Sequence, residues 1–166
     1  MLETKKNSIY VFMALIFFSL TSCDSKQEFD EYTSIPKGAW NKDNTVAFLF
    51  SINDTIQKKN LFINLRNNKN YPFSNLFLIA QIDFPDGQKI VDTLEYDMTD
   101  VTGKFLGKGF SDIKENKLFY KENITFPKSG EYTFKVRQSM RKNGEVHGVE
   151  SLEGVTDVGF RIEKTQ

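Results

Sequence analysis

The sequence predicts an all-β domain, an antiparallel β-sandwich of the jelly-roll or immunoglobulin-like kind. Two observations favour this class: apolar residues recur with period two over short stretches, and pairs of turn-forming residues separate those stretches. The composition agrees, because the 166-residue chain contains 16 Phe, 6 Tyr and 1 Trp, which are residues that prefer strands. No stretch after residue 23 sustains a 3.6-residue period, so we expect at most a helical turn or two.

The alternating pattern locates the strands. It occurs at 46–50, 61–65, 76–84, 90–96, 117–120, 132–140 and 155–162. In the stretch 132–140, Tyr132, Phe134 and Val136 are predicted to face the core. Turns are predicted at Pro85-Asp86-Gly87, Thr102-Gly103, Ser129-Gly130 and Asn143-Gly144. Strands joined by such tight turns are expected to pair antiparallel.

The amino-terminal segment has the pattern of a bacterial lipoprotein signal. Lys5 and Lys6 precede an apolar run from Ile9 to Leu20, which is too short to cross a bilayer as a helix. The sequence Leu20-Thr21-Ser22-Cys23 then resembles a lipobox, so we predict cleavage before Cys23 and lipid, including palmitate-like acyl chains, on its sulfur. Two acyl chains hold a protein stably on a membrane. An ordinary signal peptide with a chance cysteine, or an uncleaved anchor, is the alternative.

These features divide the chain into three parts. Residues 1–22 are predicted to be the signal peptide, 23–45 the lipidated cysteine and a polar tether, and 46–166 the β-sandwich domain. Within the tether, Trp40 is expected to pack onto the start of the domain, with a ligand platform as the alternative.

Charge and reactive residues argue against several function classes. The formal net charge is zero, and removal of residues 1–22 leaves about −1, so no basic field is available to bind nucleic acid. His147 is the only histidine, Cys23 is the only cysteine, and no G-x-S-x-G motif is present. We therefore expect no enzymatic activity, no zinc site, no cofactor and no small-molecule substrate, and we interpret His147 as a solvated loop residue.

Carboxylates are numerous around one predicted hairpin. Their spacing matches no EF-hand loop, although several oxygens near one another could bind Ca²⁺. A solvated hairpin face is the interpretation that we prefer for the group, which comprises Asp83, Asp86, Asp92, Glu95, Asp97 and Asp100.

An amide-rich link between two apolar strands offers a candidate partner surface. Asn67, Asn68 and Tyr71 lie in this link, and Arg141 lies beside the turn Asn143-Gly144. Tyr and Arg are enriched at binding hot spots, whereas Asn also favours turns. The four residues are therefore candidates for contact with a protein partner, with turn formation as the alternative for the asparagines.

Several short segments of the sequence together resemble the GldH family of gliding motility lipoproteins from Bacteroidetes. These segments occur in collinear order through nearly all of the chain after Cys23. They include 61–68 (LFINLRNN), 71–78 (YPFSNLFL), 92–96 (DTLEY), 107–112 (GKGFSD), 115–117 (ENK), 140–144 (MRKNG) and 152–163 (LEGVTDVGFRIE).

The resemblance implies a lipoprotein needed for gliding, associated with the envelope machinery that drives surface adhesins and the linked secretion system. It implies no catalytic residues and transfers only Cys23, as the lipid attachment site. We expect anchoring in the outer membrane, with the inner membrane as an alternative. The competing hypothesis is a lipid-anchored sandwich that binds glycan or peptidoglycan.

Overall fold

A computed structural model describes residues 25–109 and 111–165 of the chain. The predicted signal peptide and Cys23 lie outside these residues. Within the described part, no helix is long and apolar enough to cross a membrane. The one short helical element found there is a 3₁₀ turn at Pro36–Gly38, in agreement with the expected scarcity of helix.

The domain is a sandwich of two four-stranded antiparallel sheets. Sheet I contains, in spatial order, β1 (Gln27–Ser34), β10 (Val155–Lys164), β4 (Lys59–Asn67) and β7 (Lys114–Ile124). Sheet II contains β3 (Val46–Ile52), β8 (Gly130–Gln138), β5 (Asn75–Asp83) and β6 (Lys89–Asp97). A small two-stranded sheet joins β2 (Ala39–Asn41) to β9 (Ser151–Glu153). The predicted all-β sandwich is therefore confirmed.

Strand pairing identifies the sandwich as a jelly roll. Among the eight strands of sheets I and II, the first pairs with the last, β1 with β10, and the second with the seventh, β3 with β8. The nesting continues inward with β4 on β7 and ends at the hairpin of β5 and β6. This nested order is that of one long hairpin rolled up on itself, which produces two Greek keys. Of the two sandwich kinds predicted, the jelly roll is the one found.

The core lies between the two sheets, where the predicted alternation is confirmed. Along β3, Val46, Phe48 and Phe50 are buried, whereas the residues between them are exposed. Phe134 of β8 is also buried, and its ring stacks on Phe160 of β10 with centroids 4.0 Å apart. Stacked aromatic rings contributed by facing sheets fix the spacing of the sandwich.

Strand β4 departs from simple alternation. Phe62 and Asn64 point to the outer face of sheet I, yet both are buried. The Phe62 ring lies 4.5 Å from that of Phe119 on the neighbouring strand, and the Asn64 amide donates to Asp30 on β1. The outer face of sheet I therefore has a layer of its own side chains, which covers strand β4.

The boundary predicted between tether and domain is wrong. Strand β1 lies inside the interval 23–45 and pairs with β10 over most of its length, so the domain begins at about residue 27. Sequence reasoning missed this edge strand because most of its residues are polar and exposed or half-buried. Its main contribution to the core is Phe29, whose ring lies 5.8 Å from that of Phe50. The packing predicted for Trp40 is confirmed: it is fully buried, and its Nε1 donates to the Asn44 carbonyl.

Three of the four predicted turns occur where expected; the turn predicted at Ser129-Gly130 does not, because the chain bends at 127–128 and β8 begins at Gly130. Gly87, Gly103 and Gly144 each adopt a positive φ, of 85°, 84° and 81° respectively, in the links that the sequence marked. Glycine adopts this conformation without a steric penalty from Cβ.

The strands separate the loops into two opposite poles. The proximal pole holds the start of β1, residue 165 and the loops 53–58, 84–88 and 125–129. The distal pole holds the loops 35–45, 68–74, 98–113 and 139–154. Strand β1 has 8 residues, so at ~3.3 Å per residue the poles lie roughly 26 Å apart.

Candidate functional site

The link between β4 and β5 is held by Tyr71, which fills the interior of the distal pole. Its side chain is 4% exposed, and its hydroxyl donates to the Asn75 carbonyl at 2.7 Å. The ring makes edge contacts with those of Phe73 and Phe105, with centroids 6.2 and 6.3 Å away. Burial raises the pKa of Tyr71 well above its ordinary value, so the phenol stays neutral.

Asn67 is fully buried at the end of β4. Its Oδ1 accepts a hydrogen bond of 2.8 Å from Nδ2 of Asn116, which also donates to the Leu65 carbonyl. The pair of amides therefore joins β4 to β7. The expectation that Asn67 and Tyr71 contact a partner is wrong for the folded domain, because both side chains are consumed by internal packing and hydrogen bonds.

Asn68 and Arg141, in contrast, remain accessible to solvent. The Oδ1 of Asn68 accepts the Asn70 N–H at 2.9 Å, and its own N–H donates to the Gly154 carbonyl at 2.8 Å. Turn formation thus accounts for the conformation of Asn68, which is half-buried. Arg141 is exposed at the base of the loop 141–148, where its backbone bridges to Gly148. These two residues stay predictions for the partner surface.

The structure brings the amide-rich link (68–74) and the loop between β8 and β10 together around one cleft. We call this second loop (139–154) the carboxy-terminal loop. The cleft has a volume of about 630 Å³ and opens at the distal pole. Pro72 and Phe73 line one side of it, and Lys142, Glu145 and Val149 line the other. The surface therefore combines an aromatic ring with charges of both signs.

A buried amide holds the base of this cleft. Gln138 is fully buried, and its Nε2 donates to the Val149 carbonyl at 2.8 Å, while its Oε1 accepts the Met140 N–H at 2.8 Å. Beyond it, Lys42 and Glu150 form an ion pair of 2.7 Å that joins the loop to the segment after β2. The loop therefore leaves the sheet from a fixed base. Sequence reasoning missed Gln138, although it continues the inward series of alternate residues in β8.

The tip of the carboxy-terminal loop is exposed. The turn Lys142–Glu145 is closed by a hydrogen bond from the Glu145 N–H to the Lys142 carbonyl. Val146 follows it with 82% of its surface exposed, and His147 is exposed as well. Val146 is therefore the apolar side chain that the loop tip presents to solvent.

The carboxylates of the hairpin formed by β5 and β6 pair with basic and turn groups. Lys135 donates to Asp83 at 2.6 Å and thereby lowers the pKa of that carboxyl group. Asp92 pairs with Lys121 at 2.8 Å, and Asp100 accepts the Thr102 N–H in its own turn. Within residues 25–109 and 111–165, no group of three or more potential metal ligands occurs.

The outer face of sheet I presents a second exposed feature. Phe119 of β7 is 56% exposed, and its ring lies against that of Phe62. The ammonium group of Lys117 lies 4.0 Å from the centroid of the Phe62 ring. A flat aromatic surface flanked by a polar donor can stack on a sugar ring, so this patch suits the glycan hypothesis.

Solved structures resemble this chain only distantly. The VP2 subviral particle of infectious bursal disease virus matches 87% of this chain with a TM-score of 0.37 and 15% identity, and this chain spans 34% of the viral chain. Latent PorU from Porphyromonas gingivalis matches 87% with a TM-score of 0.35 and 11% identity, with 14% of that chain covered.

Sequence relatives are much closer. A protein of Christiangramia forsetii named gliding motility lipoprotein GldH homolog is 54% identical over 159 residues, which cover 95% of this chain and 96% of the relative. The gliding motility lipoprotein GldH of Flavobacterium johnsoniae is 49% identical, over 98% of this chain and 99% of the relative. The family model described as GldH lipoprotein matches residues 27–162, from the first strand to the last. The chain belongs to the GldH lipoprotein family.

Proposed function

We propose that this lipoprotein is a non-enzymatic component of the envelope apparatus for gliding motility, and that its distal pole binds a protein of that apparatus. The observation that carries the proposal is the cleft at the distal pole, where the link 68–74 and the loop 139–154 meet on a fixed base. Recognition residues commonly lie on loops that a rigid sheet supports. The assignment to gliding motility is supported by the names of the two relatives, both of which are called gliding motility lipoproteins.

Membership of the family places the protein in the cell envelope as a membrane-anchored lipoprotein. We propose Cys23 as the lipidated residue, because it closes the lipobox Leu20-Thr21-Ser22-Cys23 and lies four positions before the first strand. The outer membrane is the membrane that we favour, with the inner membrane as the alternative.

The side chains around the cleft suit a protein partner better than a substrate. Phe73 offers an apolar contact in the cleft, while Val146 and Arg141 extend the surface beside it. Arg can bind carboxylates and can stack on aromatic rings, which makes it a frequent anchor of protein interfaces. The one histidine, His147, is exposed on the loop, where no buried environment supports it as a general base.

A deletion strain complemented with variants tests this role. The double substitution Arg141→Ala and Lys142→Ala removes two cations from the distal pole, and we expect loss of gliding with normal protein level and normal lipid labelling. The matched control, Arg137→Ala with Lys89→Ala, removes the same two side-chain types from strands of sheet II, where both are exposed. We expect the control strain to glide. Gliding at the wild-type rate in the distal-pole strain would contradict the proposed surface.

The exposed Phe119 supports a second candidate function, the binding of glycan or peptidoglycan on the outer face of sheet I. In that case the purified protein binds peptidoglycan fragments saturably, and Phe119→Ala abolishes the binding. Absence of saturable binding by the wild-type protein would eliminate this alternative.

A further inference from the structure

The described chain begins at the proximal pole, a few residues after the proposed lipid anchor. Strand β1 begins at Gln27, four positions after Cys23, so extended chain of ~3.5 Å per residue gives a reach of at most roughly 14 Å. That distance is about half the separation of the two poles. A lipid on Cys23 therefore keeps the proximal pole at the membrane surface and directs the distal pole away from it.

One apolar side chain projects from this pole beside the start of β1. Ile56 lies in the loop 53–58 and is 86% exposed. A single exposed apolar residue is ordinary on a protein surface, and its meaning depends on where it lies. The position of Ile56 relative to the anchor is therefore what matters.

Hydrogen bonds tie the loop of Ile56 to the ends of the domain. Gln57 donates from Nε2 to the Thr165 carbonyl at 2.9 Å, and the Thr165 N–H donates to the Lys58 carbonyl at 3.0 Å. The next residue back, Lys164, donates its N–H to the Lys26 carbonyl at 2.9 Å. The loop is thus connected through two bonded steps to residue 26, three positions from Cys23.

The loop also has a defined conformation. The Oδ1 of Asp54 accepts the N–H groups of Ile56 and Gln57 at 2.8 and 3.0 Å, which forms an Asx turn. This turn presents Ile56 at the loop tip, where it is in contact with solvent. The structure supplies a fixed apolar residue at the pole that the lipid brings to the bilayer.

We propose that the proximal pole docks on the lipid bilayer, with Ile56 inserted at the boundary between headgroups and acyl chains. An apolar side chain buried at this depth adds to the hold of the acyl chains. The exposed residues of the pole carry both signs of charge, for example Lys58 and Asp54, so docking does not require anionic lipid. The inference rests on the proposed lipidation of Cys23. It adds the orientation of the domain on the membrane.

Lipid-dependent quenching tests the inference. The mature lipidated protein carries Ile56→Cys labelled with an environment-sensitive fluorophore. It is reconstituted in vesicles of phosphatidylcholine with or without brominated acyl chains. The matched control is Val101→Cys, at a fully exposed valine of the distal pole. We expect the brominated lipid to quench the label at position 56 and to leave the label at position 101 unchanged.

Co-sedimentation separates the possible failures. Labelled protein that sediments with the vesicles but shows the same unquenched emission at both positions would overturn docking while leaving the anchor intact. Protein that does not sediment with the vesicles would overturn the proposed anchor and the docking together.

Discussion

The backbone of Tyr71 packs directly against Gly154. A Cβ placed on this glycine would lie 2.2 Å from the Tyr71 backbone nitrogen, and Gly154 has a φ of +82°. Any side chain at 154 would therefore push the link 68–74 away from β10. We expect Gly154→Ala to cost about 2–5 kcal/mol in the free energy of unfolding, from backbone strain together with overpacking. Denaturant titration measures the loss.

Gly144→Ala is the matched control for this substitution. Gly144 has nearly the same φ, +81°, but an added Cβ would meet nothing within 4 Å. It therefore isolates the conformational strain, which we expect to cost about 1 kcal/mol. Equal losses in the two variants would show that the contact with Tyr71 has no energetic importance.

The core prediction concerns Phe134. This residue is fully buried, and its ring stacks on that of Phe160 between the sheets. Phe134→Ala should lower the free energy of unfolding by about 3–5 kcal/mol, because the cavity lies where little can collapse into it. Phe119→Ala, at the exposed aromatic of sheet I, should cost about 1 kcal/mol or less. A mild loss at Phe134, no larger than that at Phe119, would contradict the described packing.

The stability of the domain should fall in acid, in part through Glu163. Burial alone would raise the pKa of Glu163, but hydrogen bonds from Lys117 and Arg161 outweigh it and lower the pKa below its ordinary value. A carboxyl group with a lowered folded-state pKa stabilises the protein above its unfolded pKa, about 4.3, and loses that contribution as the pH falls further.

Glu163→Gln should therefore reduce stability at neutral pH and flatten the acid side of the stability curve. Unfolding followed by fluorescence across this pH range measures both effects. Glu145→Gln, on the exposed distal loop, is the matched control and should leave the stability at neutral pH unchanged. If the loss of stability at acidic pH is the same in Glu163→Gln as in the wild type, Glu163 does not contribute to acid sensitivity.

The anchor prediction concerns Cys23. Cys23→Ala removes the sulfur that the lipid requires, so the precursor should stay uncleaved by the lipoprotein signal peptidase and should not incorporate a fatty-acid probe. A gel shift and probe labelling in cells measure the two effects. A control with Ser25→Ala keeps the lipobox and should be processed normally. Continued labelling of the Cys23→Ala protein would show that another residue carries the lipid.

The sequence predicted the parts of the fold that depend on local pattern. Strands such as β3, with its regular alternation, and turns such as Asn143-Gly144 were located correctly. Strand β1 was missed because an edge strand needs few apolar residues, and its partner β10 is more than 120 residues away in the chain. Nested pairing depends on such distant contacts, so the choice of a jelly roll required the structure.

The candidate site was predictable only in outline. The sequence placed the amide-rich link and the carboxy-terminal loop among candidate partner segments, but it could not show which of their side chains face inward. The frequency of tyrosine at interfaces favours Tyr71 as a partner contact, but its side chain is buried inside the distal pole. Phe73, two residues later, lines the cleft instead.

Site-specific crosslinking in gliding cells tests the central claim most directly. A photoreactive amino acid at Val146, on the distal loop, is compared with one at Leu49, which is 56% exposed on the outer face of sheet II. The proposed function predicts a discrete crosslinked envelope protein from position 146, absent from position 49 and lost in the Arg141→Ala, Lys142→Ala background. Crosslinks from position 49 alone, or none from position 146 in cells that glide, would contradict it.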